Sequence, residues 1–231
     1  MLSNHIFKRR SDEVSRLGRV DPEQVDADAL RAKVQSRRVY IRVRRGIVLT
    51  LLLLSSPAAL ITIAVCSLLI AASMGQPIFF LQERIGRNGR VFKMVKLRTM
   101  RVHSQSERLA TAKNDDRITP LGKFLRRSHL DELPQLWNVL RGGMSVVGPR
   151  PERPEFYEVL EREVPFWTRR HLVKPGITGW AQVHHGYTSD PSATAEKLSY
   201  DLYYLRHQGL VLDLAISVRT VATMLSGDGA V

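Results

Sequence analysis

The sequence predicts an α/β chain that is mostly helical: a re-entrant membrane helix joined to a compact cytoplasmic domain with a small sheet and interfacial amphipathic helices. Three observations carry this prediction. Gly46 to Ala72 contains no charged residue and is apolar enough for lipid. Clusters of arginine and lysine flank that run on both sides. Beyond it, short β-branched and aromatic runs around an Asn-Gly pair give way to helical patterns. The expected divisions are a polar tail over 1–36, a membrane helix over 37–75 and a globular domain over 76–231.

Length and charge narrow the classes. A chain of 231 residues makes one domain, or one domain plus a tail and a membrane element. A net charge of +13 points to a polyanion, an anionic membrane face or phosphorylated substrates. The single cysteine, Cys66, lies in the apolar run, which excludes an intrachain disulfide. No Asn-x-Ser/Thr sequon occurs, in keeping with a cytoplasmic face.

The tail carries Lys8-Arg9-Arg10, Asp12-Glu13 and Asp21-Pro22-Glu23 with no sustained apolar period. It reads as mobile, with one weak helix between Pro22 and Gln35. No small-residue cleavage site follows the apolar core, so it is not a signal peptide. Arg37, Arg38, Arg42, Arg44 and Arg45 then lead into the apolar run, and Arg84, Arg87, Arg90, Lys93, Lys96 and Arg98 follow it. Positive charge marks the cytoplasmic side, so a plain span would have to export one cluster. Ser55-Ser56-Pro57 offers the alternative: proline removes a helix hydrogen bond, and the serine hydroxyls can take up the freed carbonyls. Each limb of a helix broken there reaches only ~16–22 Å, short of a ~30 Å hydrocarbon core.

In the globular part, Pro77 to Gln82 and Val91 to Arg98 read as strands around Gly86-Arg-Asn-Gly89, where Asn88-Gly89 signals a two-residue hairpin turn. Residues 101–117 read as a polar loop. Leu121 to Arg127 makes a short basic helix, and Leu133, Leu136, Trp137 and Leu140 form the apolar stripe of a second, ended by Gly142-Gly143. Pro154 to Arg170 is helical with an interruption at Pro165, and Lys174 to Gly179 is a turn. Thr194 to Leu225 is helical with a break near Gly209. Its stripe of Leu210, Leu214, Val218, Val221 and Leu225 suits a core or a membrane interface.

The chemistry concentrates at Asp131-Glu132. An acid at an N-cap, another in the first turn and a proline soon after also describe an ordinary helix start. The same geometry would let the helix terminus, Arg126, Arg127 and His129 hold both carboxylates ionised, as nucleophilic or metal-binding work requires. Two adjacent acids suit Mg²⁺, which takes one or two carboxylates plus substrate phosphate oxygens. Pro149-Arg150-Pro151 is either a rigid connector or an arginine held ready with little entropy left to lose. The basic residues Arg84 to Arg98 and Arg126 are surface charges or a clamp for a diphosphate. The histidines, His184-His185 included, have no metal-ligand spacing.

Several long stretches resemble the bacterial sugar transferase family, the monotopic polyprenyl-phosphate phosphoglycosyl transferases that start cell-surface glycan synthesis. They are Phe80 to Gly89, Phe92 to Met100, Asp116 to Arg126, Leu130 to Leu140, Gly143 to Pro151 and Lys174 to Gln182. The resemblance runs from about Arg37 to Ala230. It implies a catalytic domain on the cytoplasmic side of the bacterial inner membrane, moving a sugar phosphate from a nucleotide sugar donor, usually a UDP-sugar, to undecaprenyl phosphate. The family's acid dyad falls on Asp131 and Glu132. Its aspartate is the nucleophile, giving a phosphosugar-aspartyl intermediate and UMP, with Mg²⁺ assisting. The Pro-Arg-Pro motif associated with the uridine nucleotide falls on Pro149, Arg150 and Pro151, and the Ser-Pro helix breaker on Ser56-Pro57. Arg84, Arg98 and Arg126 are the expected companions in substrate binding. Larger relatives carry extra membrane helices before this domain, so the small-form architecture is expected here. Where relatives often have Phe-Arg-Ser-Met, this chain reads Leu97-Arg-Thr-Met100 and keeps the arginine.

Two other classes compete. A nucleic-acid binder would explain the charge but neither the apolar run nor the scarcity of aromatics among the basic residues, so no nucleic acid is expected. A membrane scaffold would explain everything but the acid pair. A homo-oligomer is compatible with all of these features, and glucose, galactose, N-acetylated or diamino sugars would present the same diphosphate to these residues.

Overall fold

A computed structural model describes residues 18–101, 115–184 and 191–226. The first part of the tail, most of the 101–117 loop and His185 lie outside the described residues. From Gly18 onward the segment expected to be a mobile tail is packed. Asp21 caps a short 3-10 turn, Pro22–Gln24, and Asp26 caps helix α1, Ala27–Ser36, by accepting from the N–H groups of Asp28 and Ala29. Val20, Val25, Leu30 and Val34 are buried with Trp167, Leu198, Leu202, Tyr204, Leu205 and Ile216 in the main core. Arg169 donates to the carbonyls of Pro22 and Val25, and the Trp180 indole donates to Gly18 O at 2.7 Å. Widely spaced apolar residues in a polar stretch were enough to dock it.

Helix α2, Arg38–Met74, continues through Pro57 without interruption, so the helical pattern is not broken there as expected. Proline at 57 cannot donate to Leu53 O. The Ser56 hydroxyl takes that carbonyl instead at 2.8 Å, while Ser55 donates to Leu51 O. Only 6% of the most apolar window is buried, and Leu51, Leu53, Leu54, Leu60, Ile61 and Leu68 are exposed. So much contiguous apolar surface belongs in lipid rather than water.

Both ends of α2 are tied to one small unit. Near its start, Arg45 donates to Val139 O and Leu140 O, and Leu52 packs with Met94, Val139 and Met144. Near its end, Arg98 donates to Met74 O, and Cys66 and Ile70 pack with Leu97 and Leu125.

Strands β1, Phe79–Ile85, and β2, Val91–Leu97, form an antiparallel hairpin with Phe79 opposite Leu97 and Ile85 opposite Val91. The connection is one residue longer than the Asn-Gly signal suggested. Gly86 N–H bonds to Arg90 O at 2.8 Å, enclosing Arg87–Gly89 with Asn88 at φ 56° and Gly89 at φ 75°. Asparagine and glycine tolerate that left-handed pair.

Helix α3, Pro120–Arg127, starts at Thr119, whose hydroxyl accepts from Gly122 N–H at 3.0 Å. A 3-10 turn, Leu130–Glu132, leads into the short α4, Gln135–Leu140. The apolar stripe on α4 is divided: Leu136 packs on the core, but Trp137 is 53% exposed and Leu140 44%, while Gln135, Asn138 and Val139 are buried. Asn138 explains the arrangement. Its side chain accepts from Val95 N–H at 3.1 Å and donates to Lys93 O at 2.7 Å, pinning α4 to β2.

Strands β3, Ser145–Val147, and β4, Gly176–Thr178, pair in parallel where only a connector and a turn were expected. The crossing is too close for a side chain on Gly148 or Gly176, each of which would strike the backbone of the other segment. Helix α5, Pro154–Glu163, and the 3-10 turn Trp167–Leu172 precede β4, and α6, Pro191–His207, and α7, Leu210–Ser226, follow it. On α7, Ile216 is buried, but Leu210, Leu214, Val218 and Val221 are exposed, so that stripe is not core.

Candidate active site

Asp131 and Glu132 do not open a regular helix. They lie in the 3-10 turn ahead of α4, entered from His129 in the left-handed region at φ 54°, and α4 itself starts at Pro134 with no side-chain cap. Asp131 is therefore not spent on capping. The turn that carries it packs on α3 and β2, and Asp131 makes no hydrogen bond or ion pair among the described residues although it is only 7% exposed.

Glu132 is held differently. Lys96 of β2 donates to its Oε1 at 2.6 Å, and Arg150 approaches the same oxygen at 3.4 Å. Burial alone would push its pKa up, but the charges of Arg150 and Lys96 outweigh it and hold the carboxyl at about 2. Asp131 moves the other way. Burial raises its pKa, and Lys96, Arg126 and His129 only partly offset that while Glu132 adds to it. The cations expected to hold both acids ionised act on them unequally: Glu132 is firmly ionised, whereas burial works against the charge on Asp131.

The loop Pro149-Arg150-Pro151 reaches the dyad through Arg150, at Glu132. Arg84 donates to Pro151 O at 2.9 Å and to Gln82 Oε1, and Arg170 donates to Arg150 O at 2.9 Å. Arg84, Met94, Gln135, Arg150, Pro151 and Gly176 line a small cavity beside it. Two guanidinium groups line this cavity, and Arg150 joins it to Glu132 of the dyad, an arrangement suited to holding an anionic group.

Residues 39–227 match the profile of the family described as Bacterial sugar transferase. The chain belongs to that family.

Among similar proteins, the UDP-N-acetylgalactosamine-undecaprenyl-phosphate N-acetylgalactosaminephosphotransferase of Aeromonas hydrophila is 38% identical over 92% of this chain and 50% of its own length. The UDP-glucose:undecaprenyl-phosphate glucose-1-phosphate transferase of Xanthomonas campestris pv. campestris is 48% identical over 64% of this chain and 32% of its own. The exopolysaccharide production protein PSS of Rhizobium leguminosarum bv. phaseoli is 39% identical over 74% of this chain and 92% of its own. The chain thus spans half or less of the first two relatives.

Within this bacterial sugar transferase domain, the residues singled out in the sequence divide into two groups. Arg150 reaches Glu132, Arg84 lines the same cavity as Arg150, and Arg126 bears on Asp131 while its Nε donates to Thr99 Oγ1 at 2.9 Å. Arg98 does not join them. It is 6% exposed, and its guanidinium donates to Met74 O, Gly75 O and Gln76 O, closing the end of α2. Three carbonyls left open by the helix end claim its guanidinium.

Lys96 was the important omission. It stood in a run of cations, and nothing in the spacing distinguished it until β2 aligned with the turn carrying Glu132. The buried pair of Arg170 and Asp201, 2.7 Å apart, was equally hidden, because 31 residues separate its members.

No group of three or more His, Cys, Asp or Glu side chains suited to a metal occurs among the described residues. Two carboxylates, one already engaged by cations, fit Mg²⁺ only if substrate phosphate oxygens complete its shell.

Proposed function

We propose that the chain transfers a sugar 1-phosphate from a UDP-sugar to undecaprenyl phosphate through a covalent phosphosugar-Asp131 intermediate, as the first membrane step in building an exopolysaccharide or another surface glycan. One observation carries the reading: a buried aspartate with no hydrogen bond or ion pair among the described residues, beside a glutamate locked by Lys96 and Arg150. Family membership and the relatives' printed names support the substrate class.

In the first half-reaction an Asp131 oxygen attacks the phosphorus bearing the sugar. The bond from that phosphorus to the bridging oxygen breaks, and UMP leaves with the oxygen. In the second, a phosphate oxygen of undecaprenyl phosphate attacks the same phosphorus and releases the Asp131 carboxylate. Arg150 and Arg84 hold the diphosphate, Glu132 fixes Lys96 and Arg150 in place, and the cations offset charge developing on the leaving group. Asp131 and Glu132 would also hold Mg²⁺, whose chemistry when bound is to neutralise phosphate charge. The relatives named above are named for different sugars, so the donor is left open within UDP-sugars.

Detergent-solubilised protein should release UMP from members of a UDP-sugar panel, and initial rates at varied donor and acceptor should give parallel double-reciprocal lines. Intersecting lines would replace the covalent route with direct attack by the lipid phosphate. No UMP from any donor would return the chain to the scaffold reading.

The same proposal places α2 as a re-entrant helix with both flanks cytoplasmic and with α7 at the membrane interface. A straight helix would set Arg45 and Met74 about 44 Å apart, yet Arg45 and Met74 are both bonded to the unit in which Asn138 joins α4 to β2. In a Cys66→Ala background, cysteines replacing Asp28 and Arg90 should both resist an impermeant thiol reagent in intact cells. Labelling of only one would establish a spanning helix.

A further inference from the structure

Away from the dyad, Lys174 stands among cations and meets no acid among the described residues. Its ammonium lies at the C-terminal end of α4, 3.3 Å from where a side chain on Gly142 would begin. Arg45 occupies the same helix end, donating to Val139 O at 2.5 Å and Leu140 O at 2.7 Å. Arg44, the next residue back, is committed to Ser145, Tyr204, Tyr40 and Asp213. Arg87 approaches from the hairpin turn, which packs on the Trp167–Leu172 turn just before Lys174. Lys174 itself makes no hydrogen bond or ion pair among the described residues. Burial lowers its pKa, and Arg45, Arg87 and Arg44 lower it further. Such crowding is relieved by an anion.

The position of the cluster says which anion. Arg45 immediately precedes the apolar run of α2, and Leu49, Leu51, Trp137 and Leu140 are exposed nearby on α2 and α4. An anion here would stand where charge gives way to hydrocarbon.

We propose that Lys174, Arg45 and Arg87 bind the phosphate of an anionic phospholipid headgroup and so fix the depth at which α2 enters the bilayer. The inference rests on the membrane placement proposed for α2. It concerns a site separate from the reaction: Asp131 lies in the turn before α4 and Gly142 just beyond its other end, so a helix about 9 Å long stands between them. Arg45 is already fixed by two carbonyls, which leaves Lys174 and the exposed Arg87 as the adjustable contacts.

The full chain would be melted in detergent-phosphatidylcholine micelles with added phosphatidylglycerol, added phosphatidylcholine or inorganic phosphate. For the wild type, phosphatidylglycerol should raise Tm by roughly 3–6 °C, through mass action on the folded state. Lys174→Gln and Arg87→Gln should lose most of that rise and Lys174→Arg should keep it. In phosphatidylcholine alone Lys174→Gln should melt no lower than the wild type, because one of several like charges is gone, and its UMP release in detergent should be unchanged. An equal phosphatidylglycerol shift in Lys174→Gln overturns the site. Inorganic phosphate reproducing the full shift would make it a free-anion site and overturn the lipid assignment. If Lys174→Gln fails to fold, Arg87→Gln on the exposed turn decides by the same comparison. Absence of UMP release from wild-type protein that still shows the shift would sink the transferase reading and leave this one standing.

Discussion

Asp131→Asn should reduce turnover by at least ~10³-fold while leaving the fold as stable as before, or more so. The chemical part follows from the amide, which lacks the anionic oxygen needed to form an acyl phosphate. The stability part follows from the site. Asp131 is buried and without a hydrogen-bond partner among the described residues, and burial raises its pKa, so its charge opposes folding at neutral pH. A neutral side chain of the same shape removes that opposition. Glu132→Gln should behave differently. Glu132 accepts from Lys96 and faces Arg150, so the substitution leaves two largely buried cations with weaker partners and should cost both activity and stability. Thermal melts run beside the UMP assay separate the two patterns. An Asp131→Asn protein that turns over at the wild-type rate would reduce Asp131 to a bystander.

The parts of this molecule legible in the sequence were those written in neighbouring residues. Ser56-Pro57 announced a proline in an apolar helix with a hydroxyl to replace the lost donor, and Ser56 does accept that role at Leu53 O. Asn88-Gly89 announced the hairpin, and only the loop length differed. The helix break near Gly209 was visible in the same way. What stayed hidden depended on partners far along the chain. Asn138 reads as a polar position on an apolar helix, yet it turns α4 because β2 presents an N–H and a carbonyl to it. Arg98 is chemically the same as Arg84, and only the open carbonyls at the end of α2 claim it. Residues 18–36 looked like a solvated tail because their apolar residues have no sustained period. Four of them nevertheless enter the main core. The dyad itself was legible as a pair, but the unequal treatment of its members was not, since it follows from Lys96 and Arg150 converging on one of the two.

Removing one member of the Arg170–Asp201 pair should do more damage to the fold than any surface substitution. Asp201 is 1% exposed, and Arg170 donates to its carboxylate from Nε at 2.8 Å and pairs with it at 2.7 Å through a second nitrogen. Asp201→Ala leaves the guanidinium buried beside a cavity, at a cost of ~3–5 kcal/mol, which corresponds to roughly 6–20 °C in Tm for a chain of this size. The double variant Arg170→Met, Asp201→Leu should recover much of that loss, because no unpaired charge remains inside the protein. Recovery of the fold should not bring back donor binding. Arg170 also donates to Arg150 O, so the Met-Leu pair releases the backbone of the loop that carries Arg150 to Glu132. The folded double variant should therefore show a raised donor KM with acceptor KM little changed. A pure stability role for the pair would instead give wild-type donor KM once the fold is recovered, and the link from Arg170 to the nucleotide loop would have to be abandoned.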